Sequence, residues 1–449
     1  MVSLIASLTV PAGASRSLNK GSRGLGSFRF LHAADIHLDS PLRGLAGQEG
    51  SAAERIRNAT REAFELLVGR AIAEQVAFLI IAGDLYDGDW RDYRTGLFFA
   101  AQMGRLNEAG IPVFVLHGNH DAQSQITRRL DLPANVRVFG SRAPETFRLD
   151  EIDVALHGQS FAQRETRDNL VPGYPEPMPS AFNIGVLHTG LGGMGGHENY
   201  APCALADLTA KGYAYWALGH VHQFQILHRQ PPIVFPGNLQ GRHIRETGAK
   251  GAVLVTVRDG DIEEVTPVPS DVVRWSLVPV EVEAAAGMAE VLERLRAGLE
   301  AELAARADGR LLACRFVLRG RTALHERLVG AEDRLLAEAR AIALGLGADV
   351  AWVEQVKVAT QPSADAVGLS GRGDALGELL RLLDEAATDP DLIARLDEDP
   401  GQMLSRLPHE VRQAAEPDSL LHLALDGDHQ VLIDSLLPYL SSRLNSREN

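Results

Sequence analysis

Apolar and polar positions change rhythm several times along this chain. Phe28–Ala34, Val76–Ala82 and Ile111–Leu116 are nearly unbroken apolar runs, the form taken by strands buried on both faces. Between the first two, Arg55–Gln75 sets Ile56, Ala59, Ala63, Leu66, Leu67 and Ile72 at helical spacing, and Tyr93–Glu108 reads as a second helix. Strand, helix, strand, helix, strand predicts βαβ units around a largely parallel sheet. Beyond Val136 the runs crowd together at Val136–Phe139, Val154–Gly158, Asn183–His188, Ala214–Leu218, Ile233–Phe235 and Ala252–Val257. Few helices separate them, which predicts a second sheet packed on the first. A proline-rich strand end at Pro267–Ser270 closes this region.

Val280–Thr360 has its own pattern: strand, helix (Ala285–Arg306), strand (Leu311–Leu318), helix (Ala323–Leu344), strand (Val350–Ala359). That predicts a small βαβαβ domain. Gln361–Asp374 is rich in Ser, Gly, Pro and Asp and reads as a linker. Leu376–Ala387, Pro390–Leu396 and Leu420–Leu440 then read as acidic helices. Met1–Ser27 reads as a disordered extension, because no Lys or Arg precedes its short apolar run Leu4–Val10, as an export signal requires. The expected domains are an extension at 1–27, a two-sheet domain at 28–270, an α/β domain at 271–360, a linker at 361–375 and a helical region at 376–449.

The 449 residues are 45% hydrophobic and 23% charged, ordinary for a globular chain. No run of 18 apolar residues occurs, so no membrane-spanning helix is expected. The two cysteines, Cys203 and Cys314, suit a reducing, cytoplasmic setting and exclude a cysteine-built zinc cluster. The net charge of −15 at first argues against a nucleic-acid partner. Its distribution changes that: residues 361–449 hold 17 acidic and 7 basic side chains, which leaves −5 for the 360 residues before them. Several of those remaining acids have the placing of metal ligands. Net charge therefore does not exclude a DNA substrate, though it predicts no broad basic face.

Five polar blocks each follow a predicted strand: Asp35-Ile-His37, Gly83-Asp84-Leu-Tyr-Asp87, Gly118-Asn119-His120-Asp121, His188, and Gly219-His220-Val-His222. Residues i and i+2 of a strand share a face, so Asp35 and His37 can aim at one point. In α/β sheets, sites gather beyond the carboxyl ends of the strands. The pooled donors are four imidazoles, two carboxylates and one amide oxygen. A mixed nitrogen and oxygen set suits Mn²⁺, Fe²⁺ or Zn²⁺ better than Mg²⁺. One such block is an ordinary turn or cap. Five in order would leave a core of unpaired polar groups unless they serve a common site.

This constellation resembles the calcineurin-like metallophosphoesterases from about Phe28 to Val268. Phe30-Leu-His-Ala-Ala-Asp-Ile-His-Leu-Asp-Ser-Pro-Leu42 is similar to the opening of the SbcD and YhaO-type DNA-repair exonucleases. His197-Glu-Asn-Tyr-Ala-Pro202 and Pro236-Gly-Asn-Leu-Gln-Gly-Arg-His243 look YhaO-like. The resemblance implies an αββα two-sheet sandwich, a βαβαβ capping domain and a helical C-terminal tail. It implies two divalent ions, Mn²⁺ first and Fe²⁺ or Zn²⁺ next. One would be held by Asp35, His37, Asp84 and His222, and the other by Asp84, Asn119, His188 and His220, with Asp84 bridging. His120 would sit beside the leaving oxygen and Asp87 would fix its tautomer. It further implies a DNA substrate, a homodimer, and an SbcC- or YhaN-like coiled-coil ATPase docked on the tail. No Gly-x-x-x-x-Gly-Lys-[Ser/Thr] occurs in the chain, so any ATP dependence would come from such a partner.

The departures matter as much. Protein Ser/Thr phosphatases carry Asp-Arg-Gly in the second block, whereas Asp87 is followed here by Gly88 and Asp89. Their third block ends in Glu, where Asp121 stands. Some double-strand-break nucleases place a second histidine where Asp87 is, so its absence leaves polarity and exo- or endonuclease preference open. Arg242 reads either as a substrate-phosphate contact or as half of a structural salt bridge. His197, in a glycine-rich loop, reads either as a substrate contact or as a loop residue. The competing functions are a small-ester phosphoesterase and a regulatory subunit with vestigial activity.

Overall fold

The computed structural model describes residues 26–42, 51–87, 93–123, 131–192 and 200–363, with the single positions 378, 381 and 421. Residues 1–25, His197 and nearly all of the expected tail helices lie outside the described residues.

β1 (Phe28–Ala33), α1 (Ser51–Ala73), β2 (Phe78–Ala82), α2 (Tyr93–Glu108), β3 (Val113–Leu116) and β4 (Val136–Val138) come first. The four strands pair in parallel, as the alternating pattern predicts. β5 (Glu145–Leu149), β6 (Val154–Gly158), β7 (Phe182–His188), α3 (Leu205–Ala210), β8 (Tyr215–Gly219), β9 (Gln225–Arg229) and β10 (Pro232–Phe235) follow. Their strands form a second sheet in the order β5-β6-β7-β8-β10-β9. β11 (Gly251–Arg258) and β12 (Asp261–Pro269) then return to the first sheet, which reads β12-β11-β1-β2-β3-β4.

Strand β2 shows why the apolar runs are continuous. Phe78, Ile80 and Ala82 pack between the sheets with Ile184, Val186, Tyr215 and Ala217. Leu79 and Ile81, on its other face, pack with Phe64, Leu67, Phe99 and Met103 of α1 and α2. Both faces are buried, each large side chain contributing about 1.5–3 kcal/mol. The second sheet's outer face buries Leu187, Trp216, Leu218, Ile233 and Phe235 with Leu208 of α3. The layers are helix, sheet, sheet, helix. His32 ties the two sheets, its ring nitrogens 3.0 Å from the Tyr215 hydroxyl and 3.1 Å from the Leu218 carbonyl oxygen.

The pattern leaves β5, β9, the start of β12 and α3 unpredicted. All three strands are sheet edges. An edge strand shows one side to water, so Glu145, Arg148, Gln225, Arg229, Glu263 and Glu264 interrupt the apolar run that marks an inner strand.

The chain divides into two compact units: 1–276 with 303–313 and 348–352, and 277–302 with 314–347 and 353–449. β13 (Val273–Glu281), α4 (Met288–Glu302), β14 (Leu311–Thr322), α5 (His325–Leu328), α6 (Glu332–Leu346) and β15 (Ala351–Pro362) complete the described elements. These strands form a three-stranded sheet, β13-β14-β15. β15 runs through Pro362, two residues into the stretch expected as linker. In the second unit Arg315 holds Glu354 with two bonds of 2.8 Å.

Candidate metal centre

The first sheet ends in residues with left-handed backbone: Asp35 (φ 51), His37 (φ 46) and Asp84 (φ 50). Non-glycine residues rarely adopt it, and such strain collects at functional sites. Hydrogen bonds hold the turns in place. The Asp35 N–H donates to the Gly83 carbonyl and the His37 N–H to the Asp84 carbonyl, each at 3.0 Å. Asp121 knits the second block to the third by accepting the N–H groups of Leu85 (3.1 Å), Tyr86 (2.9 Å) and Gly118 (3.0 Å). Gly118 is required by space: a Cβ there would stand 2.3 Å from Asp84 Oδ1.

The second sheet delivers imidazoles. His188 closes β7, and its Nδ1–H donates to the Ala82 carbonyl oxygen at 3.0 Å. That bond sets the ring so that Nε2 faces Asn119 Oδ1 (3.1 Å) and Asp84 Oδ2 (3.4 Å). His220 joins Asp84 and His188 in a buried group whose ligand atoms lie within 4.8 Å of one another. Its N–H donates to Asp35. His222 Nδ1–H donates to Glu246 Oε1 at 2.7 Å, which leaves its Nε2 3.3 Å from His37 Nε2 and 3.8 Å from Asp35 Oδ1. His37 Nε2 lies 4.0 Å from Asp84 Oδ2.

These donor atoms fit cations. His188 Nε2 and the side-chain oxygens of Asn119 and Asp84 converge on one point. His37 and His222 point like nitrogens at one another, and His37 Nδ1 is buried without a hydrogen-bond partner. The electrostatics say the same. Burial pushes the Asp35 carboxyl up despite the histidines near it. Burial also pushes on Asp84, but the charges of His188 and His120 outweigh it and hold that carboxyl well below the usual range. Burial opposes charging of His188, yet Asp84 lifts it to about 9. The cluster demands positive charge, which divalent ions held by these residues would supply. The structure gathers Asp35, His37 and His222 in one group and Asp84, His188 and His220 in a second, with Asn119 beside His188 and Asp84 Oδ2 4.0 Å from His37.

A third cluster, His37, Asp87 and His120, is closed by its own bond: His120 Nδ1 lies 3.0 Å from Asp87 Oδ1. Burial works against protonating His120, but Asp84 and Asp87 outweigh it and raise its pKa. The His120 ring stands 5.1 Å from that of His37, and its backbone N–H donates to Asp84 Oδ1 at 3.0 Å. Arg242 reaches the same spot from the loop after β10, its Nη1 3.8 Å from Asp87 Oδ2. Glu246 and Ser40 are neighbours of the cluster that spacing did not single out. Ser40 Oγ–H donates to Asp87 Oδ2 at 2.8 Å. Cys203 and Cys314 are buried free thiols. No helix among the described residues is long and apolar enough to cross a membrane.

Residues 28–224 match the calcineurin-like phosphoesterase family, and residues 275–361 match the middle domain of metallophosphoesterase YhaO. The chain is 37% identical over 268 residues to the uncharacterized metallophosphoesterase YhaO of Bacillus subtilis (strain 168), covering 59% of this chain and 65% of that one. It is 26% identical over 284 residues to the DNA double-strand break repair protein Mre11 of Sulfurisphaera tokodaii, covering 60% and 68%. The Mre11 protein of Methanopyrus kandleri is 26% identical over 316 residues, covering 63% and 65%. The chain thus spans about two thirds of the length of these relatives.

Proposed function

We propose that this chain, which belongs to the calcineurin-like metallophosphoesterases and carries a YhaO-type middle domain, is a nuclease that hydrolyses phosphodiester bonds of DNA in repair. The observation that carries the proposal is the double ligand set around Asp84 with the partly exposed His120–Asp87 pair beside it. The Mre11 relatives, named for double-strand break repair, support DNA as the substrate.

Two divalent ions, Mn²⁺ in the first instance, would neutralise the non-bridging phosphate oxygens and lower the pKa of water when bound. The chain's own residues do the rest. Asp35, His37, Asp84, Asn119, His188, His220 and His222 hold that charge in place. Asp87 fixes the His120 tautomer by its bond to Nδ1, leaving Nε2 to face substrate. As water attacks phosphorus, the bond to the leaving oxygen breaks and His120 gives that oxygen a proton, worth typically 10²–10⁴-fold. Any ATP dependence would come from an SbcC- or YhaN-like ATPase, which we propose binds the 376–449 tail. Cytoplasmic location and a homodimer complete the proposal.

The test is release of nucleotides from end-labelled duplex and single-stranded DNA with Mn²⁺, wild type beside His120→Ala. Bis-p-nitrophenyl phosphate runs in parallel. DNA degradation that disappears in the variant supports the nuclease, and the labelled end shows its polarity. Diester turnover without DNA cleavage, even with the ATPase partner added, would replace it by a small-ester enzyme.

A further inference from the structure

We infer that Arg242 is the phosphate clamp of this site and that Glu246 is its positioning residue; the assignment rests on the phosphoesterase function proposed above. In the second block Asp87 is followed by Gly88, not by an arginine. The Arg242 guanidinium approaches Asp87 from elsewhere, on the turn between β10 and β11.

The contacts of Arg242 are loose. Nη1 lies 3.4 Å from Ser40 Oγ and 3.8 Å from Asp87 Oδ2. Nη2 lies 3.4 Å from both Glu246 Oε1 and His222 Nδ1. Nε is buried without a partner. Good N–H···O bonds run at about 2.7–3.2 Å, so these donors are placed but not used up. A guanidinium offers five donors in a fork that matches two phosphate oxygens. The side chain keeps 15% of its surface exposed, enough for an anion to reach it. Asp87 also binds the His120 ring, so clamp and proton donor share one carboxylate.

The turn that carries Arg242 is held rigidly. Gln240 Oε1 accepts the N–H groups of Val272 (2.9 Å) and Val273 (3.2 Å), and its Nε2 donates to the Val273 carbonyl at 2.6 Å. Glu246 Oε2 accepts the Arg242 N–H (2.7 Å) and Asn238 Nδ2 (2.9 Å), while Oε1 accepts His222 Nδ1. One buried carboxylate therefore sets both the orientation of a metal ligand and the placing of the clamp. Such outer partners typically govern 10–100-fold in metal affinity.

The experiment measures Mn²⁺ binding by calorimetry, inorganic phosphate binding to the Mn²⁺-loaded protein, and KM and kcat for bis-p-nitrophenyl phosphate. Wild type is compared with Arg242→Ala, Arg242→Lys, Glu246→Ala and Glu246→Gln, each checked for wild-type circular dichroism. The clamp predicts that Arg242→Ala binds Mn²⁺ like wild type but weakens phosphate binding and raises KM about 10- to 100-fold. Arg242→Lys falls between. Glu246→Ala weakens Mn²⁺ and phosphate together, and Glu246→Gln, which keeps an acceptor oxygen, recovers part of both. Unchanged phosphate binding in Arg242→Ala overturns the clamp, and so does loss of Mn²⁺ in that variant, the mark of a structural role. Normal phosphate binding in Glu246→Ala overturns the positioning role. A wild-type protein that binds Mn²⁺ and phosphate but hydrolyses no diester would end the proposed function, while phosphate binding by Arg242→Ala still decides the clamp.

Discussion

The two sheets meet at one cluster but build their halves of it differently. The first sheet supplies Asp35, His37 and Asp84 from residues with left-handed backbone, and Asn119 from the loop after β3, stitched by main-chain bonds and by Asp121. The second supplies His188, His220 and His222 at or just past strand ends, and aims them by hydrogen bonds to the rings: the Ala82 carbonyl for His188 and Glu246 for His222. Short carboxylate and amide side chains reach the centre only if the backbone bends toward it. His37 and His220 share that left-handed backbone (φ 46 and 105), and the two nitrogens of each imidazole must in addition be told apart. Backbone strain does the first job, and ring-nitrogen partners do the second.

The largest effect is expected at the residue both halves share. Asp84→Ala should take turnover to background and remove both ions, read as Mn²⁺ content by elemental analysis. A retained pair of ions would break the bridging assignment. Next comes His120→Ala, which should keep both ions and lose about 10²–10⁴-fold in kcat. Loss of metal in that variant would move His120 from the chemistry into the ligand set.

Asp121→Ala probes the stitched half. Three buried N–H groups lose their acceptor, so unfolding in urea should reveal a loss of about 3 kcal/mol. An unchanged midpoint would show that the turns hold without it.

The smallest effect concerns the joint between the sheets. Burial lowers His32 from 6.5 to about 3 against its bond to the Leu218 carbonyl. The folded protein therefore needs this ring neutral. Its contribution is complete above pH 6.5 and is lost as pH falls toward 3. Between pH 7 and pH 5 that amounts to about 2 kcal/mol, and the difference should shrink in His32→Gln. Equal pH slopes for the two proteins would remove His32 from the account.

Inner strands were legible because burial on both faces favours a nearly continuous apolar run, as in Phe78–Ala82. Edge strands such as Gln225–Arg229 were not, because water on one side permits any polar residue there. The ligands were legible for a related reason: Asp84, His188 and His220 end apolar runs that have no other use for charge. Asp121 was visible within Gly-Asn-His-Asp, but its three backbone bonds depend on loop geometry that spacing does not encode. Glu246 sits in Arg-His-Ile-Arg-Glu-Thr with no strand before it and no fixed interval to His222. His197 lies outside the described residues, and its role as a substrate contact stands as an expectation.

The first sheet is finished by its last two strands: β1 pairs with β11, Phe28 opposite Val257. The strand that leads to Asp35 and His37 is therefore fixed by a partner from the far end of the domain. Contacts so distant in sequence slow folding, since loop closure must precede any reward. During synthesis β1 emerges early and waits for its partner through the whole second sheet. Until Pro269 has left the ribosome the nascent chain carries an open apolar edge. The sheet that carries Asp35 and Asp84 is thus completed only after the last of the expected ligands, His222, has been made.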